Sequence, residues 1–308
     1  MTRSGADSTF EQLVYRLNPE YRLRRAWPLS GGVSAQVTAL EIEQPDGRTK
    51  RMIVRQHGAA DWQRNPHIAR DEFRLLQALR AAGLLVPTPY DFDASGEIFV
   101  TPVLVVEYIE GETIFQPLNL SDYIRQMAAH LVAIHRFDGS SVDLSYLTEQ
   151  RQRYAQAFRV RPTHLDDTLG EGPIRDVLEA VWPLPSHNPP VLLHGDFWPG
   201  NLLWQNDQLV GILDWEDATI GDPLEDLANS RLEILWASGR DAMQQFTDAY
   251  QSLNPIHLVN LPYWDLCAAL RPAFKIDDWA ADEQAARTMR ERHGWFIAQA
   301  FERLSDQR

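Results

Sequence analysis

The sequence has little of three things, which are cysteine, positive charge and long apolar runs. Cys267 is the single cysteine in 308 residues, so no internal disulfide can form, and this fits a reducing compartment. No apolar stretch approaches the ~18 residues needed to cross a bilayer, and residues 1–10 lack the apolar core of a secretory signal. We therefore expect a cytoplasmic protein with no membrane contact.

The charge balance is acidic, with 29 Lys and Arg residues against 43 Asp and Glu residues and a formal net charge of −14. Nucleic-acid binding requires clustered basic side chains that displace counterions from the phosphates. The composition therefore argues against a nucleic-acid partner. A neutral or cationic small molecule is easier to accommodate, although a net charge of this kind also simply keeps a protein soluble.

The first hundred residues have the pattern of strands with one helix. Val33–Glu43 and Arg51–Gln56 are rich in β-branched and apolar residues and flank the turn signal Pro45-Asp46-Gly47, which predicts a hairpin. A helix is predicted over Pro66–Leu79 and a further strand over Phe99–Ile109. These elements predict a small antiparallel-sheet lobe with one key helix at residues 1–110.

The rest of the chain is mainly helical by pattern. Ser121 is the expected N-cap of a helix whose apolar residues recur at helical spacing. Short strands are predicted at Val191–Leu193, Leu202–Trp204 and Leu209–Leu213, and helices fill the remainder. The predicted fold class is α+β and bilobal, with a larger helical lobe at 111–308.

The strongest chemical signal lies between His194 and Asp214. A hairpin over residues 202–213 would bring its two ends together, and these ends carry Asn201 and Asp214, with Asp196 on the loop just before. Oxygen ligands of this kind suit Mg²⁺, which prefers a few carboxylate or amide contacts plus substrate phosphates. Asp196 could then accept a proton from an attacking hydroxyl. The alternative is a polar loop whose side chains only satisfy backbone groups.

The order His194-Gly195-Asp196, then four residues and Asn201, then Asp214, resembles the catalytic loop and magnesium-binding aspartate of the protein-kinase-like fold. Gly195 and the segment Gly-Asp-Pro-Leu-Glu-Asp-Leu-Ala at 221–228 resemble the aminoglycoside phosphotransferase family. Protein kinases have Arg after the His, and Asp-Phe-Gly in place of Asp-Trp-Glu at 214–216. The departure is usual for the small-molecule branch and argues against a protein substrate.

The resemblance implies that the first lobe binds ATP. Gly31, Gly32 and Ser34 would lie over the phosphates, because glycine loops point backbone N–H groups at anions. Arg55 would contact the α- and β-phosphates while paired with Glu72, which falls on the apolar stripe of the predicted helix. Protein kinases have Lys at the position of Arg55, and Arg is not its equivalent.

The segment 105–111 resembles the hinge between the two lobes of a kinase. The carbonyl of Glu107 and the N–H of Ile109 would meet the adenine edge. An apolar strand running into a glycine turn has the same sequence for purely structural reasons.

The implied reaction moves the γ-phosphoryl group of ATP to a hydroxyl of a small molecule, with Asn201 and Asp214 holding Mg²⁺ and Asp196 as the base. The acceptor is open. The acidic residues at 277, 278, 282 and 283 would either line a pocket for a cationic substrate or simply begin a helix. Two other functions are also open, namely a nucleotide-binding pseudokinase that acts as a scaffold and a metal-dependent hydrolase.

Overall fold

The computed structural model describes residues 5–29 and 35–307, which fall into two compact units. The first unit comprises residues up to Gly111 together with Val210–Glu216, and the second comprises Glu112–Leu209 with Asp217 onward. The division of the sequence at residue 110 had placed residues 210–216 in the second lobe. The predicted phosphate loop with Gly31, Gly32 and Ser34 lies outside the described residues.

The first unit is built on an antiparallel sheet with the strand order β1-β2-β3-β5-β4. The predicted hairpin is confirmed, and its strands β2 and β3 pair from Ala35 with His57 to Glu43 with Thr49. The five strands are β1 (Arg22–Pro28), β2 (Ala35–Glu43), β3 (Thr49–His57), β4 (Pro89–Asp93) and β5 (Val103–Glu107).

In the described part of this unit three helices accompany the sheet, whereas the sequence predicts one. They are α1 (Gly5–Leu17), α2 (Ala59–Arg64) and α3 (Ile68–Ala81). The predicted helix is α3, and the expectation of a single helix was wrong because α1 and α2 were missed. Phe10, Leu13 and Val14 of α1 pack on one face of the sheet.

Strand β3 divides its side chains between the two faces of the sheet. Met52 and Val54 point into the core shared with α1. Successive side chains of a strand alternate between faces, so Arg55 points to the opposite face. There it meets Glu72 of α3, and this alternation is what places the predicted ion pair.

The second unit is mainly helical, as predicted, and α7 runs through its core with most of its side chains buried. Helix α4 begins after Asn119, whose side chain accepts a hydrogen bond from the N–H of Asp122. The prediction that Ser121 caps this helix was therefore wrong by two residues. The helices are α4 (Leu120–His135), α5 (Gln150–Arg159), α6 (Glu171–Val181), α7 (Leu224–Ser238), α8 (Arg240–Leu253), α9 (Leu261–Ala269), α10 (Ile276–Trp279) and α11 (Glu283–Asp306).

Two small sheets frame the segment of interest. Strand β6 (Val191–Leu193) pairs with β9 (Thr219–Gly221), and β7 (Leu202–Gln205) pairs with β8 (Gln208–Ile212). Asn206 and Asp207 form the turn of the second pair with φ of 51° and 60°, as a tight hairpin turn with two left-handed residues requires. Among the described helices, none is both long and apolar enough to cross a bilayer.

Candidate active site

Arg55 is the centre of an ion-pair cluster in the first unit. Its Nη1 donates to Glu72 Oε2 at 2.7 Å, while Nη2 donates to Asp214 Oδ1 at 2.5 Å and to Glu216 Oε2 at 2.6 Å. The structure thus brings together three predicted site residues, Arg55, Glu72 and Asp214. Glu216 joins them and was not predicted.

The Arg55 cluster combines one positive charge with three carboxylates in a largely buried setting. Arg55, Glu72 and Glu216 have side-chain exposures of 11%, 5% and 8%, while that of Asp214 is 32%. Burial alone would lower the pKa of Arg55, but the carboxylates of Glu72, Asp214 and Glu216 raise it above its usual value. The guanidinium is therefore always charged, and three carboxylates contact it.

The backbone at Asp214 adopts a conformation that is uncommon for a residue with a side chain. Its φ is 65°, in the left-handed region where a non-glycine residue costs ~1–3 kcal/mol and persists only where its surroundings hold it. Trp215 supplies such support, because its buried indole N–H donates to the carbonyl of Ile212 at 3.1 Å. The strained residue is thus the one with the most exposed carboxylate of the cluster.

The loop from His194 to Asn201 lies in the second unit, directly after β6. The amide nitrogen of Asn201 donates to the backbone carbonyl of Asp196 at 2.9 Å and to its Oδ2 at 3.1 Å. Asn201 is the last residue of one turn of 3-10 helix that begins at Pro199. Asp196 and Asn201 are therefore in direct contact.

Helix α7 anchors this loop from below through Asp226. The two oxygens of this fully buried carboxylate accept the N–H groups of His194 at 2.7 Å and Gly195 at 2.8 Å. His135 Nε2 lies 3.2 Å from the same carboxylate. Burial alone would raise the pKa of Asp226, but the hydrogen bonds from His135 and His194 hold it below its usual range. Asp226 therefore remains ionised and fixes the loop.

Gly195 is the residue that distinguishes this loop from that of protein kinases, and the structure explains it. Its φ is 84°, and a Cβ at this position would lie 2.3 Å from the carbonyl oxygen of Asp217. Both the left-handed backbone and the close approach require glycine.

Arg271 is a second unpredicted residue at this loop. It follows α9, and its guanidinium donates to the carbonyl of Gly195 at 2.8 Å and to Asp196 Oδ1 at 2.6 Å. The carboxylate of Asp196 is therefore contacted on both oxygens, by Arg271 and by Asn201. It keeps 27% of its side-chain surface exposed, so a small molecule can reach it.

The predicted hinge residues lie at the end of β5. Glu107 pairs with Met52 of β3, and its carboxylate accepts hydrogen bonds from the N–H and hydroxyl of Thr88 at 3.0 and 2.6 Å. Ile109 lies just beyond the strand. Lys50, the other cation of β3, lies over the ring of Tyr90 at 3.6 Å, away from the Arg55 cluster.

The sequence predicts Asp214 and Asn201 as ligands of a divalent cation. Among the described residues, no group of three or more His, Cys, Asp or Glu side chains forms a ready metal site. The donor chemistry fits Mg²⁺ nonetheless, because it binds through one or two carboxylates and completes its shell with water and phosphate oxygens. Asp214 offers a carboxylate of this kind, with 32% of its side-chain surface exposed.

Comparison with known proteins points to one family. The sequence profile of the phosphotransferase enzyme family matches residues 26–292. Homoserine kinase from Rhizobium etli is 26% identical over 237 residues, covering 69% of this chain and 70% of that protein. Acyl-CoA dehydrogenase family member 10 from Mus musculus is 26% identical over 219 residues, covering 65% of this chain. This chain spans only 20% of the length of that relative.

Solved structures agree on the fold. Macrolide 2'-phosphotransferase type I has a TM-score of 0.64 at 21% identity, covering 95% of this chain and 98% of that one. A ternary complex of aminoglycoside phosphotransferase APH(4)-Ia with ADP and hygromycin B has a TM-score of 0.63 at 17% identity, with coverages of 94% and 98%. At these identities the likeness shows the fold alone, and the kinase-like fold expected from the sequence is confirmed.

Proposed function

Because the chain belongs to the phosphotransferase enzyme family, whose profile covers most of its length, we propose that it transfers the γ-phosphoryl group of ATP to a hydroxyl group of a small molecule. The observation that carries this proposal is the arrangement at Asp196. Its carboxylate is fixed on both oxygens by Asn201 and Arg271 and is still partly exposed. A general base must be oriented in this way before it meets a hydroxyl.

In the proposed reaction Asp196 orients the acceptor hydroxyl and takes its proton. The acceptor oxygen forms a bond to the γ-phosphorus while the bond to the β–γ bridging oxygen breaks, and ADP leaves. Most of the rate enhancement in such a transfer comes from positioning and charge neutralisation. Asp226 contributes by fixing the backbone on which Asp196 sits.

Arg55 is proposed to steady the α- and β-phosphates. Glu72 holds one side of its guanidinium at 2.7 Å, so the planar fork is oriented before nucleotide binds. Asn201 and Asp214 would hold Mg²⁺, which neutralises phosphate charge when bound. Gly31, Gly32 and Ser34 are proposed to cover the phosphates, and Glu107 with Ile109 to meet the adenine.

The acceptor is proposed only as a hydroxyl compound. Relatives named for homoserine and for macrolides make amino alcohols and sugars reasonable first candidates. Three of the four acidic residues near α11 have partners of their own. Asp277 pairs with Arg290, Asp282 caps α11 through the N–H of Ala285, and Glu283 pairs with Arg287.

A nucleotide-binding pseudokinase is the second candidate, and one contact favours it. Asp214, the proposed metal ligand, is already engaged by Arg55 at 2.5 Å. A metal-dependent hydrolase is less well supported, because it gives no role to the buried pair of Arg55 and Glu72.

Thermal unfolding with and without Mg-ATP, followed by ADP release across a library of amino alcohols, sugars and hydroxy acids, separates the three functions. A phosphotransferase is stabilised by Mg-ATP, by about 2.7 kcal/mol at a ligand concentration of 100 times Kd, and releases ADP faster with one acceptor class. Stabilisation without turnover on any acceptor would favour the scaffold. The absence of stabilisation would contradict the nucleotide site and favour the hydrolase.

A further inference from the structure

Arg271 contacts the loop of the proposed base at two points, although it lies 75 residues further along the chain than Asp196. Its Nη1 donates to the carbonyl of Gly195 and its Nη2 to Oδ1 of Asp196, at 2.8 and 2.6 Å. One guanidinium therefore bridges the backbone and the carboxylate of the same loop. The planar fork of arginine makes such a bridge, whereas the point charge of lysine does not.

The backbone that carries Arg271 is itself fixed. The N–H of Arg271 donates to the carbonyl of Ala268 at 3.1 Å. Three residues later, the N–H of Phe274 donates to Oδ2 of the buried Asp166 at 2.8 Å, and Phe274 has a φ of 61°. A left-handed non-glycine residue persists only where its surroundings hold it, so the segment after α9 is a built turn.

The carboxylate of Asp196 needs a support of this kind. The χ2 torsion of aspartate joins an sp³ to an sp² atom and has broad wells, so packing alone does not orient the oxygens. Two donors on two different oxygens, Arg271 on Oδ1 and Asn201 on Oδ2, remove this freedom.

We propose that Arg271 is a positioning residue for phosphoryl transfer, whose guanidinium sets the rotation of the Asp196 carboxylate toward the acceptor hydroxyl. The inference rests on the proposed function of Asp196. Arg271 lies outside both the His194–Asn201 loop and the Arg55 cluster.

The guanidinium is suited to this task because it remains charged. Burial alone would lower the pKa of Arg271, but the nearby carboxylates of Asp196, Asp217 and Glu233 raise it above its usual value. The contact with Asp196 is fixed by the geometry of the turn as well as by charge, because the same guanidinium also donates to the carbonyl of Gly195.

The first test compares Arg271→Gln and Arg271→Lys with Arg161→Gln as a matched control. Arg161 also bridges a carboxylate and a backbone carbonyl, those of Asp176 and Gly172, at 2.7 and 3.0 Å. Its side chain is 36% exposed and that of Arg271 is 33% exposed. The probe is Mg-ATP, and ADP release is measured with the hydroxyl library and with water as acceptors.

We expect kcat of Arg271→Gln to fall by about 10- to 100-fold, because an error of ~1 Å in the reacting groups can cost 10²-fold. KM for ATP should stay within about twofold, since nucleotide contacts are not assigned to Arg271. The kcat of Arg271→Lys should lie between the values of Arg271→Gln and the wild type. The kcat of Arg161→Gln should match that of the wild type.

A double-mutant cycle with Asp196→Ala distinguishes positioning from a direct contact with the phosphoryl group. If Arg271 acts through Asp196, Arg271→Gln causes no further loss in the Asp196→Ala background. The proposal would be overturned if Arg271→Gln lowered kcat by the same factor in the Asp196→Ala background as in the wild type. A wild-type kcat in Arg271→Gln alone would also overturn it. A wild-type protein that releases no ADP under any condition would instead refute the proposed function, and the role of Arg271 would fall with it.

Discussion

Arg55 shows how one side chain can replace another by recruiting an extra partner. In the protein-kinase pattern a lysine stands here, and its compact ammonium suits one carboxylate. The guanidinium has separate donors, and the structure uses Nη1 for Glu72 and Nη2 for Asp214 and Glu216. The sequence indicated the pair with Glu72 because Glu72 lies on the apolar stripe of α3. Glu216 carried no comparable signal.

Two substitutions of Arg55 should separate its contribution to stability from its contribution to ATP binding. Arg55→Met leaves three carboxylates close together without a cation, so we expect unfolding to become easier by about 3–5 kcal/mol. Arg55→Lys keeps the charge but loses the fork, so stability should largely remain while KM for ATP rises. Urea denaturation and steady-state kinetics check the two expectations. Equal stability of Arg55→Met and the wild type would contradict the buried cluster.

Glu233 of α7 is a residue whose protonation should depend on folding. Burial raises its pKa to about 8, with a further contribution from Asp196, while Arg271 acts in the opposite direction. The folded state therefore binds a proton between pH ~4.5 and ~8 that the unfolded state has released. Its contribution to stability is complete below pH ~4.5 and is lost as the pH rises through ~8.

Glu233→Gln mimics the protonated carboxyl group at every pH. We expect its melting temperature relative to the wild type to increase as the pH rises from 6 to about 8 and then to level off, because over this range the wild type must take up a proton to fold and the variant need not. Thermal unfolding of both proteins at pH 6, 7, 8 and 9 measures this difference. A difference that does not change with pH would show that Glu233 ionises normally.

At the scale of elements, the sequence predicts strands and turns from local patterns better than it predicts a helix that packing stabilises. The strands β2 and β3 and the turn at Asn206-Asp207 were predicted because their alternation and turn residues act locally. Helix α1 was missed although Phe10, Leu13 and Val14 fall at helical spacing. Their burial against the sheet, which stabilises α1, is a tertiary effect.

Gly195 tests whether the loop between β6 and β7 has the geometry that its sequence demands. Gly195→Ala places a Cβ 2.3 Å from the carbonyl oxygen of Asp217 at a φ of 84°, so we expect a loss of stability of more than 1 kcal/mol and a loss of turnover. Gly294 of α11 is the control, since a Cβ there meets nothing within 4 Å. Gly294→Ala should stabilise the protein by roughly 0.5–1 kcal/mol.

Denaturation midpoints of the two variants measure these opposite signs. If Gly195→Ala were as stable and active as the wild type, the close approach of Asp217 would not constrain the loop.

At the scale of the whole molecule, the sequence predicted the order of the parts better than their long-range contacts. Asp196, Asn201 and Asp214 were identified because they occur at fixed spacing within 19 residues. Asp226 and Arg271 reach the same loop from α7 and from the end of α9. The segment 221–228 contains Asp226, but its contacts and those of Arg271 could not be predicted because they depend on how distant helices pack.

A buried polar network links four helices of the second unit. Arg231 of α7 forms a two-pronged ion pair with Asp265 of α9 at 3.0 and 3.1 Å, and it also donates to Thr247 of α8. Gln299 of α11 donates to the same aspartate at 2.9 Å. Both charged side chains are fully buried.

Removing one partner of this pair should be costly. Arg231→Met leaves an unpaired buried carboxylate, so we expect a destabilisation of about 3–5 kcal/mol, largely recovered in the double variant Arg231→Met with Asp265→Leu. Arg287→Met, which breaks an exposed pair with Glu283, should cost no more than about 1 kcal/mol. Chemical denaturation of the four proteins measures these values. A small effect of Arg231→Met would mean that the network does not hold the helices together.

The most direct measurement is kcat for ADP release from Mg-ATP, with the best acceptor of the hydroxyl library, in the wild type, Asp196→Ala and Asp214→Ala. Circular dichroism and thermal unfolding would show that both variants remain folded. We expect a loss of about 10²- to 10⁴-fold in Asp196→Ala, the usual contribution of a general base, and no detectable turnover in Asp214→Ala. Turnover equal to that of the wild type in either folded variant would contradict the proposed phosphoryl transfer.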